Sequence, residues 1–154
     1  MLPSLYIQNE IEIKSSVEEC WKYLVDPQKT PLYMFGCAAL SDWKVGDTLD
    51  WEGEYEGAKM IFVKGIVEAI EPPFHLQYSV IDPLNQDIPD IPENYLHVSY
   101  MISDLKNGSC LFQVRQGDYS SVAEGEKRYQ EGLNGGLGWM PILEKIKECV
   151  EKHL

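Results

Sequence analysis

Basic residues are scarce in this sequence. It contains 13 Lys and Arg against 25 Asp and Glu, which gives a formal net charge of −12 and an isoelectric point near 4.6. A protein that binds nucleic acid neutralises phosphates with a basic patch, and anionic lipid headgroups attract Lys and Arg in the same way. The charge balance therefore argues against a nucleic-acid partner and against binding to an anionic membrane surface.

Long apolar runs are lacking too. No stretch approaches the roughly 20 apolar residues needed to cross a bilayer, and no basic segment followed by an apolar run marks a signal peptide. We expect no membrane insertion and a cytoplasmic location. The four cysteines, Cys20, Cys37, Cys110 and Cys149, include no close pair with metal-ligand or redox spacing. We expect them as reduced thiols in the core or at the surface.

Groups that carry out catalysis are few. Two of the three histidines, His75 and His97, fall on the outward faces of predicted strands, and His153 lies in the terminal tail. No His, Cys, Asp or Glu cluster has recognisable metal spacing. The glycines of the segment LNGGLGW lie inside a helical pattern, whereas a phosphate-binding loop directly follows a strand. We predict no catalytic residue, no metal site and no cofactor.

Alternating apolar and polar residues dominate the first three quarters of the chain. The 154 residues, 44% of them hydrophobic, suffice for one domain, to which we assign residues 1–154. A two-residue period is typical of a strand buried on one side. Lys64-Gly65 interrupts one apolar run and suggests a bulge, and Asn107-Gly108 suits a hairpin turn. Strands are predicted over residues 5–13, 37–43, 48–53, 60–70, 74–80, 96–102 and 110–116.

Helical patterns flank these strands. Ser16 and Glu19 form a capping box for a short helix that ends at Asp26-Pro27, and a second short helical piece is predicted over 27–35. Apolar residues at steps of three, four and seven predict a helix over 124–154, about 40 Å long and started by Ser120 or Ser121. Its glycines weaken it, and Pro141 should kink it. This order of strands and helices predicts an α+β fold.

Four segments carry a likeness to a known family. They are the opening EIEIKSSVEECWKYLVDPQKTPLY, the segments KVGDTLDWEGEY and KGIVEAIEPPFHLQYSV, and the terminal GLGWMPILEKIKECVE. Over residues 6–151 the chain resembles the START-like (SRPBCC, helix-grip) superfamily, and within it the activator of heat-shock-protein-90 ATPase homologue family. The resemblance implies a curved antiparallel sheet of about six to seven strands wrapped around a long C-terminal helix, with two short helices after the first strand. The proline-rich loop 82–94 departs from the common pattern and is expected at the mouth of a cavity.

The resemblance also implies a cavity between the sheet and the long helix. Apolar walls with a few hydroxyl and amide groups suit a small-molecule pocket, although a solid core fits the same pattern. Strand alternation also turns Ile11 to the inward face. Strand alternation and helix spacing together predict the side chains that would contact a ligand: Asn9, Trp51, Phe74, Leu76, Tyr78, Val98, Tyr100, Phe112, Val114, Gln116, Tyr129, Leu133, Gly136 and Met140.

Three functions follow as hypotheses. The first is non-enzymatic binding of a small hydrophobic or amphipathic ligand, which the apolar lining favours. The second is a cyclase, dehydratase or hydrolase in the same cavity, with Tyr78, Tyr100 or Gln116 polarising the substrate. The third, implied by the family resemblance, is a module that binds heat-shock protein 90. A homodimer is an open alternative for the assembly.

Overall fold

The computed structural model describes residues 3–154, so the first two residues of the predicted domain lie outside the described residues. Each predicted strand is present, with small changes at the ends. The strands are β1 (Ile7–Ile13), β2 (Ala38–Leu40), β3 (Thr48–Tyr55), β4 (Ala58–Glu71), β5 (His75–Val80), β6 (Leu96–Asp104) and β7 (Cys110–Gly117).

The seven strands form one sheet in the order β1-β7-β6-β5-β4-β3-β2, and every neighbouring pair is antiparallel. Consecutive strands from β2 to β7 are neighbours, as expected for chain-adjacent hairpins. β1 lies beside β7, so the first and last strands of the chain are neighbours in the sheet. The predicted α+β helix-grip fold is confirmed.

The first helix matches its capping signal. Helix α1 spans Val17–Val25, and Ser16 Oγ accepts a hydrogen bond from the Glu19 backbone N at 3.2 Å. The second predicted helical piece is shorter than expected, because only Thr30–Leu32 forms a 3₁₀ turn. The backbone then turns to positive φ at Phe35 (53°) and Gly36 (80°), which ends any helix there.

The terminal helix is not continuous from Glu124 to Leu154, so the prediction of one helix about 40 Å long, kinked at Pro141, is wrong. Helix α2 covers Gly125–Leu133 and helix α3 covers Met140–Glu151. The backbone between them has positive φ at Asn134, Gly135, Gly136 and Gly138. Glycine adopts that conformation at little cost, so the glycines form a break here.

Two further details of this region differ from the prediction. Ser120 and Ser121 do not start α2: they lie in a separate 3₁₀ turn, and Glu124 precedes the helix. Pro141 does not kink a helix, because it lies in the first turn of α3. A proline is tolerated in that turn, where its missing N–H has no helical acceptor.

Helix α3 packs across β1 and against α1. Its buried side chains Leu143, Ile146 and Val150 belong to the apolar positions at steps of three, four and seven that predict the helix, and Cys149 is buried beside them. Leu137, another of those positions, lies in the break and is exposed. Cys20 of α1 and Cys110 of β7 are both buried, with their Sγ atoms 3.2 Å apart. All four cysteines are free thiols: Cys20, Cys110 and Cys149 are buried and Cys37 is half-buried.

The bulges of β4 lie elsewhere than predicted. The register shifts between Val63 and Ile61, so Phe62 is the extra residue, and it shifts again at Glu68. Gly65 is regularly paired, and a Cβ there would stand 1.7 Å from the Ser79 carbonyl oxygen. Close approach of two backbones, rather than a bulge, therefore requires this glycine.

The proline-rich loop 82–94 is tied to the chain that leads into α2. Asn94 Nδ2 donates to the Pro89 carbonyl at 2.9 Å, and its Oδ1 accepts from the Ala123 backbone N at 3.0 Å. Arg128 Nη1 donates to the Asn94 carbonyl at 2.9 Å. These bonds hold the loop against the start of α2.

Asp118 fastens the segment before β1 to the end of β7. Its Oδ1 accepts from the Leu5 backbone N at 2.8 Å and from the Ser120 backbone N and Oγ at 2.9 and 2.7 Å. These bonds lower the pKa of the Asp118 carboxyl to about 2, and the bond from the Leu5 backbone N has the largest effect. A depressed pKa means that this stabilisation is complete above about pH 4 and is lost as the pH falls through about 2.

We expect Asp118→Ala to lower the free energy of unfolding by about 1 kcal/mol at pH 7, as for loss of a helix cap. Urea titrations of both proteins should show this difference shrinking between pH 4 and pH 2. Asp118→Asn keeps an oxygen acceptor and should lose less stability. A difference that stays constant down to pH 2 would contradict this account of the carboxylate.

Candidate ligand pocket

A pocket of about 440 Å³ opens on the inner face of the sheet, at the end towards β3 and β4. Strands β3 to β7 contribute its walls, the segment after the 3₁₀ turn at Thr30–Leu32 forms one side of its mouth, and the helix break closes it. The lining residues are Met34, Phe35, Cys37, Trp51, Gly53, Glu54, Phe62, Val63, Tyr78, Val80, Val98, Gln116 and Trp139.

A row of three side chains crosses the sheet beneath the pocket. Tyr78 pairs with Val98, and Val98 pairs with Gln116, in the registers of β5, β6 and β7. Residues directly opposite each other on neighbouring strands point to the same face. The row therefore places a hydroxyl and an amide at two sides of an apolar floor.

The first bulge in β4 supplies two adjacent lining residues. Side chains of a regular strand alternate between faces, but Phe62 and Val63 both line the pocket, because Phe62 is the extra residue of the bulge. The sequence prediction missed both residues, since it placed the bulge at Lys64-Gly65. The continuous apolar run from Met60 to Val63 was the available signal.

The mouth of the pocket is marked by an exposed aromatic ring. Phe35 is 87% exposed, although it is a large apolar side chain, and Glu54 and the half-buried Cys37 stand at the same opening. Partial burial raises the pKa of the Cys37 thiol, which favours the neutral form at pH 7. Alternation could not identify Phe35, because it lies outside the strands.

Trp139 is fixed at the pocket by two hydrogen bonds. Its backbone N donates to Asn9 Oδ1 at 2.8 Å, and its indole Nε1 donates to Gln116 Oε1 at 3.0 Å. The indole N–H can only donate, so it orients the Gln116 amide and leaves Nε2 as a donor. The preceding residue, Gly138, has φ 56°, and a Cβ there would stand 2.5 Å from Asn9 Oδ1.

Tyr78 and Tyr100 share a hydrogen bond between their hydroxyl groups at 2.8 Å, and both side chains are buried. Burial raises the pKa of the Tyr78 hydroxyl well above its ordinary value, with a further contribution from Tyr100. Burial likewise raises the pKa of Tyr100. Both groups are therefore protonated at neutral pH, where they donate hydrogen bonds.

Four of the predicted ligand-contacting residues, Trp51, Tyr78, Val98 and Gln116, line the pocket. Another four fill the solid core beside it and are buried: Leu76, Tyr100, Phe112 and Val114. Neighbouring rings in the series Trp51, Tyr78, Tyr100, Phe112 lie 5.6–5.9 Å apart between centroids. The inner face is thus a packed aromatic core at one end and an open pocket at the other.

The other predicted residues lie outside the lining. Asn9 holds Trp139 instead of facing the pocket, while Leu133 and Met140 are partly buried against the core. Tyr129 packs edge-on against Tyr119, with 5.5 Å between ring centroids. Gly136 is exposed in the helix break and Phe74, which precedes β5, is 49% exposed.

Other features expected near the pocket lie elsewhere. Asp90 of loop 82–94 pairs with Lys64 at 2.5 Å, and no residue of this loop lines the pocket. His75 bonds Ser99 and His97 bonds Glu68, away from the pocket. Within residues 3–154, no three His, Cys, Asp or Glu side chains group closely enough to hold a metal ion. No helix in that range is long and apolar enough to span a membrane.

Comparison with models of known protein families shows to which family the chain belongs. Residues 14–151 match the family model described as activator of Hsp90 ATPase homolog 1-like protein. The chain belongs to this family. A search of curated proteins gave no match.

Several solved structures share the fold of this chain. A protein from Cytophaga hutchinsonii is 31% identical, with a TM-score of 0.74 over 99% of this chain and 98% of that one. An HSP90 activator from Plasmodium falciparum is 14% identical, with a TM-score of 0.60 over 82% and 86%. The Aha1 dimer from Colwellia psychrerythraea is 13% identical, with a TM-score of 0.67 over 96% of each chain. The last two show the fold alone.

The Asn9 side chain should be needed to hold Trp139. We expect Asn9→Leu to lower the free energy of unfolding by about 1–3 kcal/mol, because the Trp139 backbone N loses its acceptor in a partly buried place. Urea unfolding measures the loss. Gln8→Leu on the exposed face of the same strand is the matched control and should change stability little. Equal losses in the two variants would contradict the assigned role of Asn9.

Proposed function

We propose that this protein binds a small hydrophobic or amphipathic molecule in the pocket between the sheet and the helix break, without transforming it. The observation that carries the proposal is a pocket of about 440 Å³ with a mainly apolar and aromatic lining. Pockets for small molecules commonly have volumes of roughly 300–1,000 Å³ and a few placed polar groups. Tyr78 and Gln116 supply such groups here.

The proposed ligand gains binding free energy by removing apolar surface from water. Trp51, Phe62 and Trp139 offer large rings, and rings of this kind contribute much of the burial in binding sites. Phe35 at the mouth is the exposed apolar side chain best placed to cover a bound molecule. The protonated Tyr78 hydroxyl acts in this scheme as a hydrogen-bond donor and not as a base.

Native mass spectrometry of the freshly purified protein is the direct test. We expect an adduct of a few hundred daltons that is absent from the denatured spectrum. A neutral dye whose fluorescence rises in apolar surroundings, such as Nile red, gives a second readout for protein purified without an adduct. A clean native mass together with no dye binding would overturn the proposal.

Filling the pocket should abolish binding without harming the fold. Val80 lines the pocket, so we expect Val80→Phe to weaken Nile red binding at least about tenfold, since the ring occupies the space of the ligand. Val45→Phe is the matched control, because Val45 is 65% exposed and lies outside the lining. Unchanged binding by Val80→Phe, with its thermal midpoint retained, would contradict a site in this pocket.

A second proposed function is association with the heat-shock protein 90 chaperone. The family description and the relative named as an HSP90 activator favour it. We expect purified Hsp90 to be retained by the immobilised protein and its ATPase rate to rise on addition of the protein. Absence of both effects would remove this function.

The homodimer that the sequence analysis left open would appear as a doubled mass in size-exclusion light scattering.

A further inference from the structure

The pocket contains no cationic side chain. Its thirteen lining residues include no Lys, Arg or His, and the one charged member is Glu54 at the mouth. An ionised group that enters an apolar site without a partner of opposite charge loses hydration that nothing replaces. The described lining therefore disfavours binding of an anion inside the pocket, and the Glu54 carboxylate at the mouth repels it further.

Several basic side chains are held away from the pocket by other contacts. Arg128 donates to the carbonyl groups of Asn94 and Ala123. The Arg115 guanidinium lies 3.6 Å from the centroid of the Tyr6 ring, on the outward face of β7. These residues do not supply a counter-charge to the pocket as the structure stands.

The polar groups inside the pocket are uncharged donors. Gln116 Oε1 is occupied by the Trp139 indole, so its Nε2 hydrogens have no acceptor among the described side chains. Tyr78 lines the pocket, whereas Tyr100 lies in the packed core. When Tyr100 donates their mutual hydrogen bond, the Tyr78 O–H proton is left to donate to a ligand. A ligand carbonyl or ether oxygen would accept from either donor.

We propose that the pocket selects uncharged ligands that carry a hydrogen-bond acceptor, such as an amide, ketone or ester, and rejects carboxylates of the same shape. This inference rests on the proposed function, because it specifies the ligand class of the same pocket. In it, the ligand oxygen accepts a hydrogen bond from Gln116 Nε2 or from the Tyr78 hydroxyl.

A matched pair of probes tests the selection. Decanamide and decanoate have the same chain and nearly the same shape, but only decanoate is charged at pH 7.5. We expect decanamide to bind and decanoate to bind at least about 100-fold more weakly, because nothing in the pocket compensates its charge. Isothermal titration calorimetry measures both, and displacement of Nile red reports occupancy of the same pocket.

Adding one positive charge should narrow the preference for the amide. Gln116→Arg introduces a guanidinium into the lining, and we expect it to tighten decanoate binding at least about tenfold while decanamide gains nothing. Gln113→Arg is the matched control, since Gln113 lies on the same strand and the opposite face. Glu54→Lys changes an exposed residue, so it keeps the test available if Gln116→Arg does not fold.

The outcomes separate the two proposals. Strong decanamide binding with weak decanoate binding supports the selection. Equal affinities of the wild-type protein for both probes would overturn the selection and leave the proposed function standing. Binding of neither probe, together with no Nile red signal, would overturn the proposed function and this inference with it.

Discussion

The structure depends on the double attachment of Trp139. Its backbone N–H is bound by Asn9 of β1 and its indole N–H by Gln116 of β7, so one residue joins the helix break to two neighbouring strands. A polar group left without a partner in this partly buried place would cost about 1–3 kcal/mol. The attachment therefore holds the helix break against β1 and β7, beside the pocket.

The glycines before Trp139 make this attachment sterically possible. A side chain at Gly138 would collide with Oδ1 of the Asn9 side chain, and the backbone of Gly138 has positive φ. The break leaves several helical hydrogen bonds unformed. It brings the Trp139 indole ring to the lining of the pocket. Helix regularity is lost here and a tertiary contact is formed instead.

The wall of the pocket that β4 forms departs from regular pairing. The extra residue in β4 turns Phe62 and Val63 to one side, so the pocket wall gains apolar surface without a longer strand. Beneath it, the aromatic series from Trp51 to Phe112 is closely packed and keeps the Tyr78 hydroxyl in place. The pocket therefore has a closely packed floor and an apolar wall.

The sequence by itself determined the strands, the cap of α1 and the inward direction of Tyr78, Val98 and Gln116, because a two-residue period and local capping depend on neighbours along the chain. It also indicated the family through motifs that concern packing. Only the tertiary structure decided the break before Trp139, the position of the bulge at Phe62 and the mouth at Phe35. Each of these depends on contacts between residues far apart in sequence, such as Asn9 with Trp139, and local periodicity carries no information about such contacts.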